Sequence, residues 1–258
     1  MAADQTQRAP RKGLKEWLFG AKRAASVPPG RRVYVVGDIH GCVALLDCLL
    51  KSIVADAATA PEKRLLVFVG DYVDRGPDSR GVIERLLNPP ESFEVRCLRG
   101  NHDQAVLDFL NDPPSYRAWK SYGAQETLVS YGVRPPLFDD VQAIVEARDA
   151  FAARLPPSHR RFLEELELST EIGDYFVVHA GVRPGIALGA QSPEDLLWIR
   201  EDFLLSRSDF GKVVVHGHTP TEYVVRRKNR IGIDTGAYAT GRLTALVLEG
   251  ETVRLLHT

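Results

Sequence analysis

The stretch Leu65-Leu66-Val67-Phe68-Val69-Gly70-Asp71-Tyr72-Val73-Asp74-Arg75-Gly76 decides the fold. Its first five residues are an apolar, β-branched strand run, and its last seven crowd two aspartates and an arginine between glycines. The pattern repeats on either side. Arg32–Val36 is a strand ending in Gly37. Val43, Leu46, Leu50 and Val54 then recur at helical spacing over Cys42–Val54. Ser79–Leu87 reads as a helix stopped by Pro89 and Pro90, Phe93–Leu98 as a third strand ending in Arg99-Gly100, and Gln104–Leu110 as a further helix. This β-α-β-α-β-α rhythm predicts parallel strands joined by right-handed crossovers, an α/β fold.

Residues 1–30 read as a flexible basic tail. Arg8, Arg11, Lys12, Lys15, Lys22 and Arg23 face only Asp4 and Glu16, a short helix fits Leu14–Lys22, and Pro28-Pro29-Gly30 closes the segment. The domain itself spans 31–258. Residues 111–170 read as a helical insertion, with prolines at its joints and no strand signal before Leu166–Glu171. Strands return at Tyr175–Val178, Val213–Val215, Tyr223–Val225, Ile231–Ile233, Leu243–Leu248 and Thr252–Leu256, in an antiparallel or mixed arrangement.

The 258 residues are 44% hydrophobic and 26% charged, enough for a sizeable core. Lys plus Arg number 33 against 34 Asp plus Glu. That balance argues against a nucleic-acid or membrane-surface binder. No apolar run approaches the roughly 20 residues of a membrane helix. Cys42, Cys48 and Cys97 are an odd set without CxxC spacing, which suits free thiols in a reducing cytoplasm. Cys42, one residue past the Gly41 turn, reads either as an oxidation-sensitive thiol or as a simply packed one.

Those clusters carry the chemistry. Gly37-Asp38-Ile39-His40-Gly41, the Gly70–Gly76 string, Gly100-Asn101-His102-Asp103, His179-Ala180-Gly181 and His216-Gly217-His218-Thr219 each follow a strand. In α/β sheets, ligands bind beyond the carboxyl ends of the strands. One such cluster is ordinary turn chemistry, and Asp103 alone reads as a helix cap. Five in order predict a convergent site. Asp, Asn and His without Cys suit borderline-hard divalent ions such as Mn²⁺, Fe²⁺ and Zn²⁺. Asp38 and His40 can face one ion, Asp71 can bridge two, and Asn101, His179 and one of His216 and His218 complete the second.

On these motifs, from about residue 32 to 250, the sequence resembles the calcineurin-like metallophosphoesterases. Within them it resembles the branch of serine/threonine protein phosphatases and bacterial diadenosine tetraphosphatases. The resemblance implies two mixed β-sheets packed together and flanked by helices. It implies two metal ions, expected to be manganese with iron or zinc as alternatives. Asp38, His40 and Asp71 would hold the first; Asp71, Asn101, His179 and His218 the second. It further implies that Asp74 orients His102 as general acid, and that Arg75 and Asn101, with Arg200 as a second clamp, bind the phosphate. Residues 119–131 would line the cleft, while His159 and His257 read as surface residues. Three departures are Asp103 where the family often has Glu, Ala180 where a second Gly is common, and Pro220 where phosphodiesterase and nuclease cousins carry a His ligand. None removes an expected ligand.

The expected activity is hydrolysis of phosphoserine and phosphothreonine in proteins, by direct attack of a metal-bridging hydroxide. The alternative is cleavage of dinucleoside polyphosphates. A third possibility, an inactive binding module, would have lost a ligand, and none is missing. No nucleic-acid or membrane partner is expected.

Overall fold

The computed structural model describes residues 24–258. The helix expected at 14–22 lies outside them. Residues 24–30, counted in the tail by the sequence reading, pack on the domain: Val27 is buried and its N–H donates to Gly250 O at 3.1 Å.

Two five-stranded sheets form the centre. In the first, β1 (Arg31–Val36), β2 (Lys63–Phe68) and β3 (Glu94–Cys97) run parallel. Beside β1, β9 (Thr244–Glu249) pairs antiparallel, and β10 (Thr252–His257) closes that edge. The second has the order β4-β5-β6-β8-β7. Here β5 (Tyr175–Val178), β6 (Val213–His216) and β8 (Arg230–Gly232) are parallel, with β4 (Ser169–Ile172) and the short β7 (Val225–Arg226) antiparallel at the edges.

Side-chain alternation dictates the layering. Val33 and Val35 of β1 and Leu65 and Val67 of β2 meet Tyr175, Val177, Val215 and Ile231 between the sheets. Tyr34, Val36, Leu66 and Phe68 point the other way, onto α1 (Val43–Ala57), α2 (Ser79–Leu87) and α3 (Asn101–Asn111). Phe176, Val178 and Val214 face α8 (Pro193–Trp198) and α9 (Glu201–Leu204) on the far side. The result is four layers, helix–sheet–sheet–helix, and each fully buried Val, Leu or Phe contributes roughly 1.5–3 kcal/mol. The insertion lies between β3 and β4. It is built of α4 (Tyr116–Trp119), α5 (Ala124–Ser130), α6 (Val141–Arg154) and α7 (Pro157–Glu164).

Three expectations are corrected. The helix expected from Gln104 begins at Asn101, because the Asp103 carboxylate accepts from Gly100 N–H at 2.9 Å and caps it early. The strand expected at Tyr223–Val225 pairs only at Val225–Arg226, with Tyr223 exposed. His159 is buried, not on the surface: it shares a face of α7 with Leu163, and its Nδ1 lies 2.8 Å from Tyr131 OH. His257 is exposed as expected.

Candidate active site

The loops after β1, β2, β3, β5 and β6 converge. Asp38, His40, Asp71, Asn101, His102, His179 and His218 are all buried there. Among the described residues, the non-glycine positions with positive φ are His40 (46°), Asp71 (54°), Asp74 (70°), Arg75 (66°) and His218 (65°). Left-handed backbone costs such residues roughly 1–2 kcal/mol each, and its concentration at one place marks loops held by their neighbours for function. Two glycines allow the close approach. A Cβ on Gly100 would collide with the Asp71 carboxylate, and one on Gly217 with that of Asp38.

Asp71 presents one oxygen to each of two donor clusters. His40 Nε2 is 3.5 Å from its Oδ2, and His179 Nε2 is 3.5 Å from its Oδ1. On the second side, Asn101 Oδ1 lies 2.9 Å from His179 Nε2 and 2.8 Å from His218 Nδ1, with the two ring nitrogens 3.2 Å apart. Outer partners set the tautomers. The Nδ1 of His40 donates to Val73 O (2.9 Å) and that of His179 to Val69 O (3.1 Å), which turns both Nε2 lone pairs inward. Asp38 Oδ2 accepts from His218 N–H at 2.9 Å, while its buried Oδ1 has no partner.

The electrostatics ask for a cation. Burial, then the charges of Asp234 and Asp71, raise the Asp38 carboxyl well above its usual range. Burial and then Asp103 do the same to Asp71. Burial pushes His40 and His179 well below theirs, so both rings are neutral donors. Buried carboxylates that repel one another, facing inward-turned imidazole lone pairs, fit a divalent ion without any thiolate. The sets His40–Asp71–His102 and Asp71–His179–His218 each offer three convergent atoms.

His102 Nδ1–H donates to Asp74 Oδ2 at 2.7 Å, and its Nε2 lies 3.8 Å from Asp71 Oδ2. Burial, then Arg75 and Arg200, press the His102 pKa to about 3. Arg75 sits with its guanidinium 4.8 Å over the Tyr238 ring and donates to that hydroxyl at 3.1 Å; Arg200 donates to Thr219 Oγ1 at 3.3 Å. Both arginines are exposed on the cleft. Tyr122 of the insertion packs edge-on against His102 (ring centroids 5.6 Å apart) and tilted against Trp198 (5.7 Å). A cavity of about 640 Å³, lined by Arg75, Tyr122, Tyr238, Arg117 and Lys120, continues from there. The expectation that residues 119–131 line the cleft therefore holds for Lys120–Gly123, Gln125 and Glu126.

His216 is not part of the cluster: its ring packs on Phe203 at 5.0 Å and its Nε2 is 3.3 Å from Arg230 Nη1. Cys42 is no exposed thiolate, since burial raises its pKa and Sγ–H donates to His40 O at 3.3 Å. Sequence reasoning missed Asp234, buried beside Asp38 just beyond β8. The strand-end rule that found the other clusters would have found it. It also missed most of the work of Asp103, whose carboxylate accepts from Asp71 N–H (2.8 Å) and Tyr72 N–H (3.0 Å) besides capping α3.

Two donor clusters sharing one carboxylate, beside two exposed arginines and a carboxylate-held histidine, define a metal-dependent phosphoester hydrolase. The sequence profile of the calcineurin-like phosphoesterases matches residues 31–247, and the chain belongs to that family. Serine/threonine-protein phosphatase 1 of Salmonella typhimurium is 34% identical over 219 residues, 83% of this chain and 90% of its own. A bis(5'-nucleosyl)-tetraphosphatase (asymmetrical) of Anoxybacillus flavithermus is 27% identical over 246 residues, 87% and 94% of the two chains. The crystal structure of a candidate diadenosine tetraphosphatase shares the fold with a TM-score of 0.61 at 23% identity, covering 91% of this chain and 98% of that one.

Proposed function

We propose that this chain hydrolyses phosphoserine and phosphothreonine in proteins, using two divalent metal ions. The observation that carries the metal chemistry is Asp71, with one oxygen toward each of two donor clusters. The 34% identity to a bacterial serine/threonine phosphatase supports the substrate class. Asp38, His40 and Asp71 would hold one ion; Asp71, Asn101, His179 and His218 the other. Manganese is the proposed metal, and iron or zinc would suit the same donors. Free cysteines, and no helix among the described residues long and apolar enough to cross a membrane, support a cytoplasmic enzyme.

Bound ions at such a centre supply Lewis acidity and activate water near neutral pH. The chain's own groups do the rest. Arg75 and Arg200 take the phosphoryl oxygens in two-pronged contacts, with Asn101 assisting. In its imidazolium form His102 gives the Nε2 proton to the departing oxygen and returns to the neutral ring, whose Nδ1–H stays on Asp74. Burial first, and the Arg75 and Arg200 charges second, hold the His102 pKa down, and a phosphate dianion docked between the arginines offsets the second of these causes.

The test offers a phosphoserine peptide and diadenosine tetraphosphate to the metal-loaded protein. Faster turnover of the peptide, read as phosphate release, than of the dinucleotide, read as nucleotide products, supports the reading. Cleavage of the dinucleotide with the peptide untouched replaces it by the second reading, which the 27% identical tetraphosphatase favours.

Variants at three positions probe the assigned roles. His218→Ala should lose one ion and nearly all activity, whereas His216→Ala should keep both ions and lose stability, because it empties a buried space against Phe203. Metal analysis of both decides, and loss of an ion from the 216 variant alone would refute the assignment. Arg75→Ala should weaken inhibition by inorganic phosphate and slow turnover with both metals retained. Arg75→Lys should also be poor, since an ammonium cannot make the paired contact; wild-type kinetics in that variant would remove the clamp.

A further inference from the structure

Asp74 is gripped from both sides by the helical insertion. Its Oδ2, which accepts from His102 Nδ1, also accepts from Trp119 Nε1–H at 2.7 Å. Its Oδ1 accepts from Thr127 Oγ1–H at 2.6 Å. The Thr127 hydroxyl in turn accepts from the Asp74 amide at 2.9 Å, with Ser79 Oγ 3.0 Å away. Trp119, Thr127, Ser79 and Asp74 are all buried, so no water competes for these bonds. The same segment props the backbone: Gly123 O accepts from Arg75 N–H at 3.4 Å, and a Cβ on Gly123 would lie 2.6 Å from that nitrogen.

A carboxylate has two oxygens and a free torsion. A single bond to an imidazole leaves its plane undetermined. Here three donors approach in fixed directions, and two come from rigid elements of the insertion. The Trp119 ring is itself wedged against Phe109 at 5.2 Å and Phe151 at 6.5 Å. Nothing about the metal clusters requires an indole at this place, since Trp119 touches no candidate ligand.

We propose that Trp119 and Thr127 are positioning residues for proton donation: the insertion exists in part to hold the Asp74 carboxylate in the plane that meets His102 Nδ1. The inference rests on the general-acid reading of His102. It assigns to residues 119–131 a role in turnover besides lining the cleft. A hydrogen bond to a charged group carries a factor of about 10 to 100 in the equilibrium it controls.

Trp119→Phe deletes the N–H and keeps an aromatic ring; Thr127→Val deletes the hydroxyl, with Ser79 Oγ still available to the Asp74 amide. Each should lower kcat on a phosphoserine peptide by about tenfold or more, and on p-nitrophenyl phosphate by less than about threefold. KM, metal stoichiometry and phosphate inhibition should change little, and Thr127→Ser should restore peptide turnover. In an Asp74→Asn background, Trp119→Phe should add no further selectivity, because the pair acts as one unit. Thermal melts check that each variant is folded. Equal losses on both substrates, or none on the peptide, in proteins whose His102→Asn counterpart is selective, overturn the positioning role alone. If His102→Asn harms both substrates equally, the general-acid reading falls and this inference falls with it.

Discussion

His102→Asn is expected to lower turnover of a phosphoserine peptide by about 10²–10⁴-fold and to spare most of the rate on p-nitrophenyl phosphate. The reason is the leaving group. A serine alkoxide is strongly basic and must be protonated as it departs, while a nitrophenolate is weakly basic and leaves bare. His102 suits the role because its Nδ1 is taken by Asp74 at 2.7 Å, which leaves Nε2 as the nitrogen facing the cleft. Asp74→Asn should show the same selectivity more mildly, since it weakens the hold on the ring without removing the acid. kcat on both substrates, with metal content checked, measures the effect. Equal losses with both ions bound would reject the role.

Asp71→Asn should be more damaging still, lowering activity on every substrate by at least about 10³-fold. An amide offers a single neutral acceptor oxygen where the carboxylate offers two charged ones, 3.5 Å from His40 Nε2 and 3.5 Å from His179 Nε2. Loss of several kcal/mol of charge stabilisation corresponds to that factor, at about 1.4 kcal/mol per tenfold. The apo protein should not unfold, because the substitution also removes a buried carboxylate that repels Asp38. A melting temperature of the metal-free variant at or above that of metal-free wild type, together with lost ion binding, is the expected pair of results. An unchanged ion count would contradict the bridging role.

The layers and the convergence of the strand-end side chains were legible because both are written in local pattern. Uninterrupted apolar runs such as Leu65–Val69 announce covered strands, and each candidate ligand stands directly after one. What could not be read was contact across the chain. Trp119 and Thr127 reach Asp74 from 45 and 53 residues away, and no spacing rule connects them. His159 looked like a surface residue because a lone His in a polar stretch carries no burial signal; its partner Tyr131 sits just past the end of α5. Asp234 was overlooked although it follows a strand, since it stands in Asp-Thr-Gly without a neighbouring His. The choice between His216 and His218 was open on strand parity alone. The structure separates them through the turn at Gly217, which sends His218 to Asn101 and leaves His216 on Phe203.

The account stands on two ions sharing one carboxylate, so the decisive measurement is a metal titration of the stripped protein followed by ion content and phosphoserine-peptide turnover together. Two divalent ions per chain are expected, with activity appearing as both sites fill and binding lost in Asp71→Asn. Full activity with a single ion per chain, or with none, would contradict it.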